Sequence, residues 1–111
     1  MSKSPFSAYH AHLYFPLGNT NDVESLVNKI KSNFNLNIGR IIDKPIGPHP
    51  IGSCQVTVPQ ELFSDFIPWL SKERGELDVF IHALSGDDLA DHTQYIMWLG
   101  NSHQLNLDMF K

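Results

Sequence analysis

Residues 9–15 read Tyr-His-Ala-His-Leu-Tyr-Phe, a run in which aromatic and aliphatic side chains alternate with histidines. Successive side chains of a β-strand point to opposite faces of its sheet. The run therefore predicts a strand with Leu13 on one face and with His10, His12 and Tyr14 on the other. The first face is suited to a core, whereas the second face carries groups that can bind a metal or exchange protons.

The remaining sequence predicts short elements on either side of this strand. They are a helix over 22–34, a strand over 38–43, a Pro- and Gly-rich loop over 44–52, a strand over 53–58, a helix over 59–74, a strand over 77–84, a helix from Asp87 or Asp88 to Gly100, and an edge strand over 105–109. Pro68 falls inside the second helix and is expected to kink or divide it.

The order βαββαβ indicates an α+β fold of the ferredoxin-like, split βαβ type, with an extra C-terminal helix or strand. We expect residues 1–111 to form a single domain, because domains commonly span ~50–250 residues. Helices would cover one face of the sheet. The other face would need a cover, so we expect a homodimer with a dimeric α/β-barrel-like association.

Composition narrows the functional classes. Twelve acidic against eight basic residues give a net charge of −4, which disfavours nucleic acid as a partner. No run approaches the ~20 apolar residues of a membrane span. The chain has one cysteine, Cys54, so an internal disulfide is excluded, and a reducing compartment, most simply the cytoplasm, is favoured.

Histidines are the unusual feature of the composition. There are six of them: His10, His12, His49, His82, His92 and His103. In a ferredoxin-like sheet the first strand lies antiparallel to the fourth, so the start of one lies near the end of the other. We therefore expect His10, His12 and His82 to converge, and histidine is the commonest protein metal ligand.

Other candidates are placed less directly. His92 and the carboxylates Asp87 and Asp91 follow His82 and should lie near it, as a ligand, a support or a proton-transfer group. The loop that carries His49 should emerge at the opposite end of the sheet, and it could reach back or reach a partner subunit. His103 follows Gly100 in what we expect to be an exposed turn.

Three residues are candidates for substrate binding. Arg40 lies in a predicted strand, and a guanidinium binds a carboxylate with two parallel hydrogen bonds. Tyr14 and Phe80 could flank an aromatic substrate, although packing is the commoner role for such side chains. No Gly-rich phosphate loop or paired Cys-x-x-Cys motif is present.

Several fragments together resemble the DOPA 4,5-dioxygenase family. They are residues 9–15, Gly47-Pro-His-Pro50, Trp69-Leu followed by Arg74-Gly75 and His82, and Gly86-Asp with Asp91-His92 and Trp98-Leu-Gly100. Many members of that family read Asp-His-Thr-Asp-His in the last motif. Here the motif is Asp91-His-Thr-Gln-Tyr95, so Tyr95 replaces the second histidine.

The resemblance implies a small, cytoplasmic, non-haem iron enzyme that cleaves a catechol such as L-DOPA with O₂, at the 4,5 bond beside the diol. It implies Fe²⁺ as the cofactor, with zinc or another divalent metal possible in the purified protein. The metal ligands would be His12 and His82, with His10 or His49 as the third. The acid–base group would be His92, or whichever of His49 and His10 is not a ligand. Asp87 or Asp91 could complete the two-histidine, one-carboxylate pattern of iron oxygenases.

Two other classes are compatible with the same elements. One is a non-catalytic ferredoxin-like module that binds a small ligand or a metal without turnover. The other is a cofactor-free monooxygenase or isomerase on a similar dimeric barrel, which would keep its activity after chelation.

Overall fold

The computed structural model describes residues 4–111 as a mixed α/β fold built on one five-stranded antiparallel sheet. The strands are β1 (Ala8–Phe15), β2 (Asn37–Ile42), β3 (Gly52–Pro59), β4 (Asp78–Ala83) and β5 (Ile96–Leu99), and the helices are α1 (Asn21–Asn33), α2 (Gln60–Glu73) and α3 (Asp88–Asp91). The chain ends in a single 3₁₀ turn, Asp108–Phe110. The strand order across the sheet is β2-β3-β1-β4-β5.

Strand β1 is the centre of this sheet, with β3 on one edge and β4 on the other. The alternation predicted from the sequence is observed. Ala11, Leu13 and Phe15 enter the buried core, against which α1 packs Val23, Leu26, Val27 and Ile30 and α2 packs Phe66, Ile67 and Leu70. The histidine-bearing face of β1 is turned away from this core.

Helix α2 runs without interruption through Pro68, so the division expected as one alternative at this proline is wrong, and the kink stays a prediction. None of the helices within residues 4–111 is long and apolar enough to cross a bilayer.

The predictions for the C-terminal third are wrong in two places. The helix expected to reach Gly100 stops at Asp91, because backbone groups of residues 93–95 turn back onto the Ala90 carbonyl. The following apolar residues then form β5 beside β4. The edge strand expected over 105–109 is also absent from the described chain, where that segment leads into the 3₁₀ turn.

The expectation of a dimer rested on an uncovered sheet face. In the structure Tyr14 and Phe80, which lie on that face, are buried within the single chain. The chain's own segments contribute to this cover: Asn106 N–H donates to the Pro48 carbonyl (2.9 Å), and the Phe110 ring stacks on His92 (ring centroids 4.4 Å apart). The homodimer stays a prediction, but an exposed apolar sheet face no longer supports it.

The pairing of Phe15 with Gly52 generates a first test. A Cβ added at Gly52 would lie 2.6 Å from Cζ of the buried Phe15 ring. Gly52→Ala should therefore lower the free energy of unfolding by about 1–3 kcal/mol, the usual cost of overpacking, as measured by urea denaturation.

Gly39→Ala is the matched control, since an added Cβ there meets its nearest atom, the Gln55 backbone oxygen, at an ordinary 3.5 Å. Equal stabilities of the two variants would contradict the close packing of Gly52 on Phe15.

Candidate metal centre

Three histidines from two neighbouring strands meet on the face away from the helices. The register places His10 opposite His82 and His12 opposite Phe80 across β1 and β4. One ring nitrogen from each of His10, His12 and His82 lies within 4.8 Å of the others. His12 and His82 are buried and His10 is half-buried. The convergence predicted from the sequence is therefore observed, and the three histidines can hold a metal ion.

The two buried rings face each other through the same nitrogen. His12 Nε2 lies 3.0 Å from His82 Nε2. Two nitrogens that are each about 2.1 Å from one metal ion, with a right angle between the bonds, are about 3.0 Å apart. The spacing fits two adjacent ligands of a transition metal, and imidazole nitrogen suits iron, zinc, copper and nickel.

A backbone carbonyl fixes the ring of His82. Its Nδ1 lies 2.8 Å from the Ala83 carbonyl oxygen, which can only accept, so Nδ1 carries the proton. Nε2 then presents its lone pair towards His12. Histidine ligands are commonly oriented in this way by a hydrogen bond from their second nitrogen.

Burial keeps the cluster neutral. Desolvation, followed by repulsion from neighbouring imidazoles, lowers the pKa of His12 well below its ordinary value. Desolvation likewise lowers the pKa of His49 and of His82 to about 4, and it lowers the pKa of the half-buried His10. Neutral imidazole is the form that binds metals.

The loop between β2 and β3 does reach back to the cluster, which the sequence left undecided. The His49 ring lies 4.2 Å from the His12 ring, between centroids. A backbone hydrogen bond from His49 N–H to the Ile46 carbonyl (2.9 Å) closes the turn that carries it. His49 Nδ1 lies 2.7 Å from the Tyr14 hydroxyl. His49 is not a member of the three-histidine group.

His92 flanks the cluster on the other side. It follows the last residue of α3, and its ring lies 4.2 Å from that of His82. Its Nδ1 lies 2.7 Å from the Asp88 carbonyl oxygen and therefore donates a hydrogen bond to it. The lone pair of His92 is left on Nε2, where it can accept a proton.

The two nearby carboxylates are engaged in the loop after β4. Asp91 accepts hydrogen bonds from the backbone N–H (2.9 Å) and the hydroxyl (2.6 Å) of Ser85, and Asp87 caps α3 through the Ala90 N–H (3.1 Å). Within residues 4–111, neither joins the potential ligand group, which consists of nitrogen donors alone.

A cavity of about 340 Å³ opens beside the cluster, between β2, β3 and the His49 loop. Ligand sites commonly have volumes of ~300–1,000 Å³. His12, His49 and Arg40 are among its lining residues, together with Ser53 and Gln55. The cavity thus joins a potential metal ligand to a guanidinium.

Tyr14 and Phe80, the other candidates for substrate binding, do not line this cavity. The fully buried Phe80 ring lies under the cluster, 5.8 Å from the His12 ring and 4.7 Å from Trp98. Tyr14 is buried beside it, and burial raises the pKa of its hydroxyl.

His103, which the sequence suggested to be an exposed turn residue, is half-buried. Its Nε2 lies 2.7 Å from an Asp78 carboxylate oxygen, and its ring stacks on Trp98. The second Asp78 oxygen accepts from the Asn101 N–H (2.8 Å), and these hydrogen bonds hold the pKa of Asp78 below its usual value against the effect of its own burial. These contacts hold the segment after β5 against the start of β4. The one sequence signal for them is that Asp78 alternates with the core residues of β4.

Comparison with protein families gives a match over residues 9–109 to the model of the Dopa 4,5-dioxygenase family. The chain belongs to this family. The resemblance drawn from short fragments is therefore confirmed over nearly the whole length.

Two relatives of this chain come from fungi. A DOPA 4,5-dioxygenase of Amanita muscaria is 30% identical over 113 residues, and an uncharacterised 21.2 kDa protein of Botryotinia fuckeliana is 33% identical over 116 residues. Each alignment covers 94% of this chain, which spans 50% of the length of the first relative and 63% of the second.

A solved crystal structure also resembles this chain in fold. A crystal structure from Nostoc punctiforme, described as that of a dioxygenase candidate, has a TM-score of 0.90 and 34% sequence identity. The match covers 96% of this chain and 95% of that one.

The family position that carries Tyr95 in this chain lies outside the cluster. Tyr95 is 42% exposed, and its ring packs on Phe6 with centroids 5.0 Å apart. The replacement noted in the sequence therefore removes no member of the three-histidine group.

The lowered pKa values predict how the metal-free protein responds to acid. Below about pH 6.5 the unfolded chain takes up protons on His49 and His82, whereas the folded chain resists protonation until about pH 4. The free energy of unfolding should therefore decrease as the pH is lowered, by roughly 2–4 kcal/mol from pH 7 to pH 5, as measured by urea denaturation.

His103→Gln is the control variant, since His103 lies outside the cluster and contacts Asp78 instead. This variant should lose as much stability between pH 7 and pH 5 as the unsubstituted chain does. A free energy of unfolding that stays flat over this range would show that the clustered rings protonate freely in the native state.

Proposed function

We propose that this chain is a non-haem iron dioxygenase that opens the ring of a catechol, such as L-DOPA, beside the diol by 4,5-cleavage. The observation that carries the proposal is the pair of buried Nε2 atoms of His12 and His82, which lie 3.0 Å apart beside a cavity that His12 lines. Membership of the Dopa 4,5-dioxygenase family supports the reaction class. The strand order of β1–β4 supports the ferredoxin-like plan, and the lone buried Cys54 supports a cytoplasmic setting.

We assign the metal-holding role to His12 and His82, with His10 as the third ligand. All three imidazoles are neutral near pH 7, and their nitrogens lie within reach of one ion. Bound iron(II) would supply the one-electron chemistry that lets O₂ react with a catechol. The all-nitrogen set departs from the common two-histidine, one-carboxylate pattern.

The chain's own residues supply binding and proton transfer. Arg40 in the cavity wall can form a bidentate, charge-assisted pair with the carboxylate of a substrate such as L-DOPA. His92 Nε2 can accept a proton from a catechol hydroxyl, because its Nδ1 proton is donated to the Asp88 carbonyl. His49 lines the cavity and is the second acid–base candidate.

A non-catalytic metal- or ligand-binding module is the alternative to this enzyme. Both functions need the histidines, but the module would bind a metal and a catechol without consuming O₂. Turnover therefore separates the two functions.

The metal ligands are tested by substitution. His12→Ala and His82→Ala should each weaken binding of Fe(II) or Zn(II) by more than about 100-fold, because each removes a coordinating atom rather than a supporting one. Metal content after anaerobic loading and desalting measures the effect, and circular dichroism confirms that the variants are folded.

His103→Ala is the matched control, since it removes a half-buried histidine on the same sheet face that lies outside the cluster. Full metal content in both cluster variants would remove the ligand assignment.

The reaction is tested on the anaerobically purified chain loaded with Fe(II). Addition of L-DOPA and air should give O₂ uptake and a yellow ring-opened product, and a chelator should abolish both. Arg40→Gln should raise KM about tenfold for L-DOPA or caffeate, since a charge-assisted hydrogen bond contributes about 1.5–3 kcal/mol when formed.

The same variant should leave KM for dopamine or plain catechol unchanged, because neither has a carboxylate. Absence of O₂ uptake across several catechols would end the dioxygenase proposal, and an equal KM change for all of them would end the role of Arg40.

A further inference from the structure

The hydrogen bond between Tyr14 and His49 has a direction that the structure can assign. His49 lines the cavity beside the cluster, and its Nδ1 lies 2.7 Å from the Tyr14 hydroxyl. A neutral imidazole carries its proton on one nitrogen and a lone pair on the other. The nitrogen that faces Tyr14 therefore determines what the other nitrogen, Nε2, can offer to a ligand.

Two arrangements fit the distance. In the first, the Tyr14 hydroxyl donates to Nδ1 and Nε2 carries the proton. In the second, Nδ1 carries the proton and donates to the Tyr14 oxygen, so that Nε2 has the lone pair. The second arrangement leaves the hydroxyl proton of Tyr14 to find another acceptor.

Among residues 4–111, His49 Nδ1 is the one hydrogen-bond partner of the Tyr14 hydroxyl. Tyr14 is 1% exposed, and its ring is enclosed by Phe80, Trp98 and His103. A buried donor without an acceptor carries the full cost of its desolvation. The first arrangement satisfies the hydroxyl proton, and the second does not.

We propose that Tyr14 is a positioning residue that holds His49 with its proton on Nε2, as a hydrogen-bond donor to an oxygen atom of the molecule in the cavity. His49 lies outside the three-histidine group, so this role leaves His10 as the third member of that group.

His82, a member of the cluster, and His92, which flanks it, provide the contrast. Each has a backbone carbonyl at Nδ1, which only accepts, so each presents a lone pair at Nε2. His49 has a hydroxyl at the same position and presents a proton. The donor of His49 and the guanidinium of Arg40 line one cavity, which suits a ligand with oxygen anions or lone pairs at two points.

The tautomer is measured by nitrogen-15 NMR of the histidine side chains in the whole, metal-free chain near pH 7.5. His49→Gln assigns the His49 signals, and His82 serves as the internal standard for a ring protonated on Nδ1. We expect His49 to show the opposite pattern, with the proton on Nε2. A wild-type His49 protonated on Nδ1 would overturn the proposal, whether or not any variant folds.

Tyr14→Phe removes the hydroxyl and keeps the ring. It should move His49 away from the pure Nε2–H pattern and leave His82 unchanged. Tyr9→Phe is the matched control, because Tyr9 lies on the opposite face of β1 and its hydroxyl lies near Ser4. An unchanged His49 pattern in Tyr14→Phe would contradict the positioning role.

The functional part of this inference rests on the proposed dioxygenase and has its own readout. Tyr14→Phe should lower kcat about tenfold, because it removes the hydrogen bond that orients His49, with metal content unchanged. The double variant Tyr14→Phe/His49→Gln should be no slower than His49→Gln, because Tyr14 acts through His49; additive losses would contradict this.

The two proposals fail differently. The expected tautomer without O₂ uptake would end the dioxygenase and keep the donor assignment of His49. Turnover with His49 protonated on Nδ1 would do the reverse.

Discussion

The structure depends on the double pairing of β1, a strand that is hydrogen-bonded to β3 on one side and to β4 on the other. This central position packs one row of β1 side chains against the helices and places the other row, with His10 and His12, on the face of the histidine cluster. Leu13 belongs to the core and His12, its neighbour in sequence, belongs to the cluster. A slip of one residue would exchange the two rows, so the packing that fixes the core also fixes the position of the three histidines that can hold a metal ion.

The features predictable from the sequence are those set by local periodicity. The two-residue alternation of 9–15 identified both faces of β1, and helical spacing identified α1 and α2. Convergence of His12 with His82 followed from antiparallel neighbours in the assumed topology. By contrast, a single helical turn at Asp88–Asp91 followed by β5 was missed, since capping residues announce where a helix starts but not how far it runs.

The rest of the site depends on contacts between distant segments. The sequence did not determine whether His49 reaches His12, because a nine-residue loop can take many paths until its turn and the Tyr14 hydroxyl fix it. The engagement of Asp91 by Ser85, and of Asp78 by His103, likewise comes from folded proximity. The first pair engages Asp91, which the sequence left open as a possible ligand, and the second half-buries His103, which the sequence placed in an exposed turn.

The cluster has two unlike sides. Phe110 covers His92 on one of them, and the cavity with Arg40 adjoins His12 on the other. An organic molecule in the cavity would therefore approach the cluster from the side of His12.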